Sequence, residues 1–119
     1  MTTSVQPILV SRDLERLSGF YRALVGAVET ERFPPEEPTF FVGLRIGDSD
    51  LSVVSDADAP EGPQRVLLSI DVPDVDALLP RVVELGGSAP GAANDMPWGQ
   101  RVAHVRDPDG NAVNLTQQL

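Results

Sequence analysis

The sequence predicts an α+β fold built from two βαβββ modules whose mixed sheets curl around a cleft. Three observations carry that prediction. Related residues recur at a constant offset of 61 positions, each copy runs from an apolar strand into an Asp-led helix, and 10 Gly and 11 Pro punctuate the chain into short elements. The offset pairs Gln6 with Leu67, Leu9 with Ile70, Asp13 with Asp74, Leu17 with Leu78, Leu24 with Leu85 and Gly26 with Gly87. A chain of 119 residues holds one core, so the copies are expected to share a single domain, 1–119, with module one at about 1–60 and module two at about 61–119.

Ser4 to Ser11 is apolar at nearly every position, as a strand covered on both faces would be. Asp13 then caps a helix, because its carboxylate can accept from the first free amides. Leu14, Leu17, Phe20, Tyr21, Leu24 and Val25 follow at helical spacing until Gly26 can end it. A strand over Ala27–Phe33 leads to the stiff acidic loop Pro34-Pro35-Glu36-Glu37-Pro38. Thr39–Ile46 and Asp50–Val54 read as a hairpin around Gly47-Asp48-Ser49. Ser55–Gln64 has no hydrophobic period and joins the modules.

In the second copy, Arg65–Val72 alternates. Val66, Leu68, Ile70 and Val72 are predicted under a helix, and Arg65, Leu67, Ser69 and Asp71 toward a cavity. Asp74 caps the next helix, whose buried stripe is predicted as Val75, Leu78, Leu79, Val82, Val83 and Leu85. Pro80 lies inside it and is either tolerated or imposes a bend. Pro97-Trp98-Gly99, a strand over Gln100–Arg106, the turn Asp107-Pro108-Asp109-Gly110-Asn111 and a last strand through Leu115 complete the chain.

The balance of 9 basic and 18 acidic residues gives a net charge of −9, which repels phosphate backbones and anionic lipid and favours cationic ligands. Nucleic-acid and membrane partners are therefore not expected. With no cysteine there is no disulfide, thiolate metal site or thiol nucleophile, and no apolar run is long enough to span a bilayer. A cytoplasmic location is the default expectation. A Gly-rich phosphate loop and a serine-histidine pairing at a recognisable spacing are also missing.

Val10-Ser11-Arg12-Asp13-Leu14 with Phe20-Tyr21, Val72-Pro73-Asp74-Val75-Asp76, and above all Pro97-Trp98-Gly99 with Asp107-Pro108-Asp109-Gly110-Asn111 resemble the vicinal oxygen chelate superfamily. That superfamily includes glyoxalases, extradiol dioxygenases, fosfomycin-resistance enzymes and bleomycin-resistance proteins. The resemblance covers essentially the whole chain. It implies a divalent metal held by His or Glu from four strands, and lays those positions on Gln6, Ser52, Leu67 and Asn114. None is an imidazole or carboxylate, so neither a metal nor another cofactor is expected.

By parity, Gln6, Ile8, Val10, Ser52, Leu67, Ser69, Asp71, Asn114 and Thr116 line the cleft, an apolar wall with a few polar groups. Trp98, the only tryptophan, either stacks on an aromatic ligand or plugs the sheet end or a dimer seam. Asp71 is a candidate partner for a ligand cation. His104, the only histidine, is a candidate acid, base or ligand contact whose face depends on the turn that follows. Asp95 and Glu37 are further charges for the cleft mouth, and Arg101 and Arg106 are expected to pair with neighbouring acids. The expected ligand-binding set is thus Gln6, Ser52, Leu67, Ser69, Asp71, Trp98, His104 and Asn114.

The resemblance to metal-free bleomycin-resistance proteins implies a homodimer that binds or sequesters a small organic molecule, a cationic aromatic one among the candidates. The alternative is a glyoxalase- or dioxygenase-like enzyme with an atypical or metal-free site. A third is an interaction module with a filled cleft.

Overall fold

The computed structural model describes residues 4–119, which divide into two units, one ending at Pro60 and the other beginning at Glu61. The first unit runs β1 (Ile8–Ser11), α1 (Leu14–Val25), β2 (Val28–Phe33), β3 (Phe41–Ile46) and β4 (Ser49–Ser55). The second runs β5 (Leu68–Asp71), α2 (Val75–Glu84), β6 (Asn94–Asp95), β7 (Gln100–Arg106) and β8 (Ala112–Gln118). Each unit is a βαβββ module, the sheets being ordered β1-β4-β3-β2 and β5-β8-β7-β6. In both, the pair joining first and last strands is parallel and the others are antiparallel.

The helices start where the acids predict. Asp13 accepts from Arg16 N at 3.1 Å and Asp74 accepts from Ala77 N at 3.2 Å, so each cap satisfies an amide that has no partner within its helix. Gly26 ends α1 in the left-handed region at φ 71°, a conformation that side chains with a Cβ resist. In the second unit Gly86 takes that conformation instead of Gly87. Helix α2 runs through Pro80, which leaves the Asp76 carbonyl without its usual amide.

One face of each sheet lies under its helix. Leu9, Val42, Leu44, Leu51 and Val53 are buried with Leu14, Leu17, Phe20, Tyr21 and Leu24 in the first unit. In the second, Ala103, Val105, Val113 and Leu115 are buried with Val75 and Val82. Tyr21 and Phe20 meet edge to face with centroids 5.1 Å apart.

Three predicted boundaries are corrected. The first strand spans only Ile8–Ser11: Pro7 donates no amide, and Val5, 91% exposed, lies outside the sheet. The strand predicted over Arg65–Val72 is Leu68–Asp71, with Val66 and Leu67 both more than half exposed. Val83 is 58% exposed and off the buried stripe, which narrows to Val75 and Val82 with Leu78 and Leu79 half-buried.

At the β7–β8 turn, the buried Asp107 carboxylate accepts from Asp109 N, Asn111 N and Asn111 Nδ2 at 3.0, 2.9 and 3.0 Å. Asn111 Oδ1 in turn accepts from Gln64 N at 2.7 Å, and Gly110 supplies the left-handed residue at φ 85°. The Asp-Pro-Asp-Gly-Asn sequence thus closes the hairpin and anchors the residues leading into β5.

Candidate functional site

Side chains directly opposed in a sheet share a face, so the registers determine what each uncovered face carries. In the first unit Ile8 opposes Ser52, which opposes Gly43, and Val10 opposes Val54, which opposes Phe41. Phe33, opposite Phe41, continues that row. The face therefore carries an apolar row beside one buried hydroxyl, Ser52 Oγ, to which Gln6 Nε2 donates, and the register adds Glu31, opposite Gly43, and the paired Arg45 and Asp50 to the same face. A side chain at the position opposite Ser52 would have to displace its neighbours, since a Cβ on Gly43 would lie 2.9 Å from Thr30 Oγ1 and 3.0 Å from Glu31 Cγ.

The second unit presents different chemistry in the same arrangement. Ser69 opposes Asn114, which opposes His104; one step along, Asp71 opposes Thr116, which opposes Val102. His104 Nδ1 lies 2.7 Å from Asn114 Oδ1, and Thr116 Oγ1 donates to Asp71 Oδ1 at 3.0 Å. The face is a row of polar groups, with His104, Ser69 and Asp71 exposed. Sequence parity left the side of His104 open; the β7–β8 register places it with Ser69, Asp71 and Asn114.

Trp98 is 69% exposed in the turn before β7, and its Nε1 donates to Gln100 Oε1 at 2.8 Å. Within the single chain its ring does not plug a sheet end. Leu67 lies just before β5 and is 56% exposed.

The four positions that the resemblance assigns to metal do not suit one. Gln6 donates its amide to the Ser52 hydroxyl, Leu67 has no donor atom, and Asn114 directs its oxygen to His104. Among the described residues, no cluster of three or more His, Cys, Asp or Glu has the geometry to hold a metal ion.

The neighbouring charges are structural. Arg101 donates to Asp95 Oδ1 and to Asp76 Oδ2, each at 2.7 Å, which ties the first turn of α2 to β6 and β7. The hydrogen bond from Arg101, with its positive charge, holds the Asp95 carboxyl below its ordinary range, so Asp95 stays ionised and paired with Arg101. Arg106 bonds the Gly110 carbonyl at 2.7 Å, closing the turn. Sequence reasoning missed the pairing of His104 with Asn114, whose only signal was equal spacing from the Asp-Gly turn.

The sequence model described as "Glyoxalase/Bleomycin resistance protein/Dioxygenase superfamily" matches residues 4–115. An uncharacterized protein of Mycobacterium bovis is 30% identical over 129 residues, covering 98% of this chain and 84% of that protein. Among solved structures, a glyoxalase/bleomycin resistance protein/dioxygenase family enzyme from Burkholderia phytofirmans PsJN superposes with TM-score 0.79 at 24% identity, covering 96% of this chain and 97% of the other. A hypothetical protein from S. aureus gives TM-score 0.76 at 28% identity, with 98% of each chain covered.

Proposed function

The chain belongs to the glyoxalase/bleomycin resistance protein/dioxygenase superfamily, and from that premise we propose that it binds and sequesters a small organic molecule without a metal, as drug-resistance binding proteins do. One observation carries the reading: the positions where a metal-dependent member would present His or Glu hold Gln6, Ser52, Leu67 and Asn114, and the polar three are engaged with Ser52, Gln6 and His104. An amide, a hydroxyl and a leucine form no ligand set for a divalent ion.

In this reading the two modules share one domain, and a cytoplasmic homodimer presents the uncovered sheet faces to the ligand. Leu67 with Ile8 and Val10 supplies the apolar part of the wall, and Gln6 and Ser52 add an amide and a hydroxyl to it. Ser69, Asp71, His104 and Asn114 supply polar contacts, and Trp98 supplies a stacking surface. The charge of −9 favours a cationic aromatic ligand over an anionic one and disfavours nucleic acid and membrane surfaces. No helix among the described residues is long and apolar enough to cross a membrane.

The test is Trp98 fluorescence during titration with basic aromatic glycopeptides, planar antibiotics and glutathione adducts, on protein assayed for metal by elemental analysis. Saturable quenching by metal-free protein is the expected result. Stoichiometric, tightly bound divalent metal overturns the reading and favours the second one, a glyoxalase- or dioxygenase-like enzyme with an atypical site. What favours that second reading at all is His104, a basic ring exposed on a polar face.

A further inference from the structure

The contact between His104 and Asn114 determines which ring nitrogen is available to a ligand. An amide oxygen only accepts, so the tautomer that hydrogen-bonds Asn114 Oδ1, 2.7 Å away, is the one with the proton on Nδ1. The lone pair then resides on Nε2. His104 is exposed, and Nε2 has no partner among the described residues. The ring is thereby fixed with a basic nitrogen outward, on the same face as the Asp71 carboxylate, which is itself oriented by Thr116.

The fold does not require this device. The row that matches Ser69–Asn114–His104 in the first unit is Ile8–Ser52–Gly43, where the matching position is a glycine crowded by the Thr30 and Glu31 side chains. The second unit thus carries an imidazole at a register position where the first carries a glycine.

We propose that Asn114 is a positioning residue that holds His104 in the Nδ1–H tautomer, and that Nε2 accepts a hydrogen bond from the acidic hydroxyl of a hydroxyaromatic ligand. The proposal rests on the reading of this face as ligand-binding and specifies the ligand's class. Nε2 and the Asp71 carboxylate are acceptors and the exposed Ser69 hydroxyl can accept as well as donate, so the face favours ligands that supply donors. A neutral imidazole nitrogen suits a phenolic O–H, whereas Asp71 suits an ammonium.

Because His104 is the only histidine, its two ring nitrogens can be observed without overlap in the full-length protein labelled with 15N-histidine. The expected spectrum at neutral ring charge shows Nδ1 protonated and Nε2 bare, and Asn114→Leu shifts the ring toward the Nε2–H form. By calorimetry, 2-naphthol binds about tenfold more tightly than 2-methoxynaphthalene, the effect of one net hydrogen bond, and His104→Phe brings the ratio to about one. A predominantly Nε2–H ring in the unmodified protein overturns the proposal even if a variant fails to fold. So do equal affinities for the two probes, and so does the binding of neither. Saturable binding of a basic aromatic compound by metal-free protein in those cases leaves sequestration standing, so the two readings fail separately.

Discussion

Arg32 on β2 reaches Glu15 on α1 through two hydrogen bonds, of 2.6 and 3.0 Å, and the same guanidinium holds Glu29 at 2.7 Å. It also donates to Thr39 Oγ1, whose hydroxyl donates to the Pro34 carbonyl, so helix, strand and the base of the acidic loop meet at one cation. The hydrogen bond from Arg32, assisted by its charge, holds both glutamate carboxyls below their ordinary value of 4.5, against partial desolvation that acts the other way.

A pH dependence follows from those directions. With folded-state values below the unfolded one, the two glutamates contribute stability that is fully present above about pH 4.5 and is lost as pH falls through the depressed values. Urea denaturation of wild type and Arg32→Met is expected to show a gap at pH 7 that closes below pH 4. Because the groups are partly exposed, added salt narrows the gap at pH 7.

Burial predicts a contrast between two apolar truncations. Leu17 is completely buried, and Leu17→Ala is expected to cost about 2–5 kcal/mol. Val83 is 58% exposed, and Val83→Ala is expected to change stability by less than about 0.5 kcal/mol. Equilibrium unfolding of both variants checks the corrected helix face directly.

The turn carboxylate makes a third case. Asp107→Ala removes an acceptor from two backbone amides and the Asn111 side chain in a buried place, an expected loss of about 3 kcal/mol. Hydrogen exchange should then rise at Asn111 and at Gln64, whose amide depends on Asn111 Oδ1.

Ligand charge can be read at Asp71. Asp71→Asn is expected to weaken a cationic aromatic ligand about fivefold, as for an exposed charge pair, and to leave a neutral analogue unchanged. Calorimetry with the matched pair distinguishes this from a change in the shape of the face.

The repeat and the helices were legible in the sequence because their signals are local. Asp13 and Asp74 cap amides three residues away, and the stripe through Leu17 and Leu24 recurs within one helix. Strand ends were not legible where an apolar run continued past the last pairing, as at Val5 and Val66. The Arg32 cluster was hidden for a geometric reason. Residues three apart on a regular strand point to opposite faces, but the register shift between Glu29 and Glu31 returns Glu29 and Arg32 to the same side. The face of His104 needed the pairing across the turn at Asp107–Asn111, which parity within one strand does not supply.

The outer strands also constrain how another copy could approach. β1, β5 and β6 are only four, four and two residues long, while β2 is interrupted by its bulge. Each adjoins or nearly adjoins a proline, at Pro7, Pro73, Pro97 and Pro34 respectively. Such margins offer an incoming chain no long ladder to extend. Edge-to-edge pairing of two copies is therefore disfavoured, and fibrous stacking of the sheets is disfavoured by the same construction.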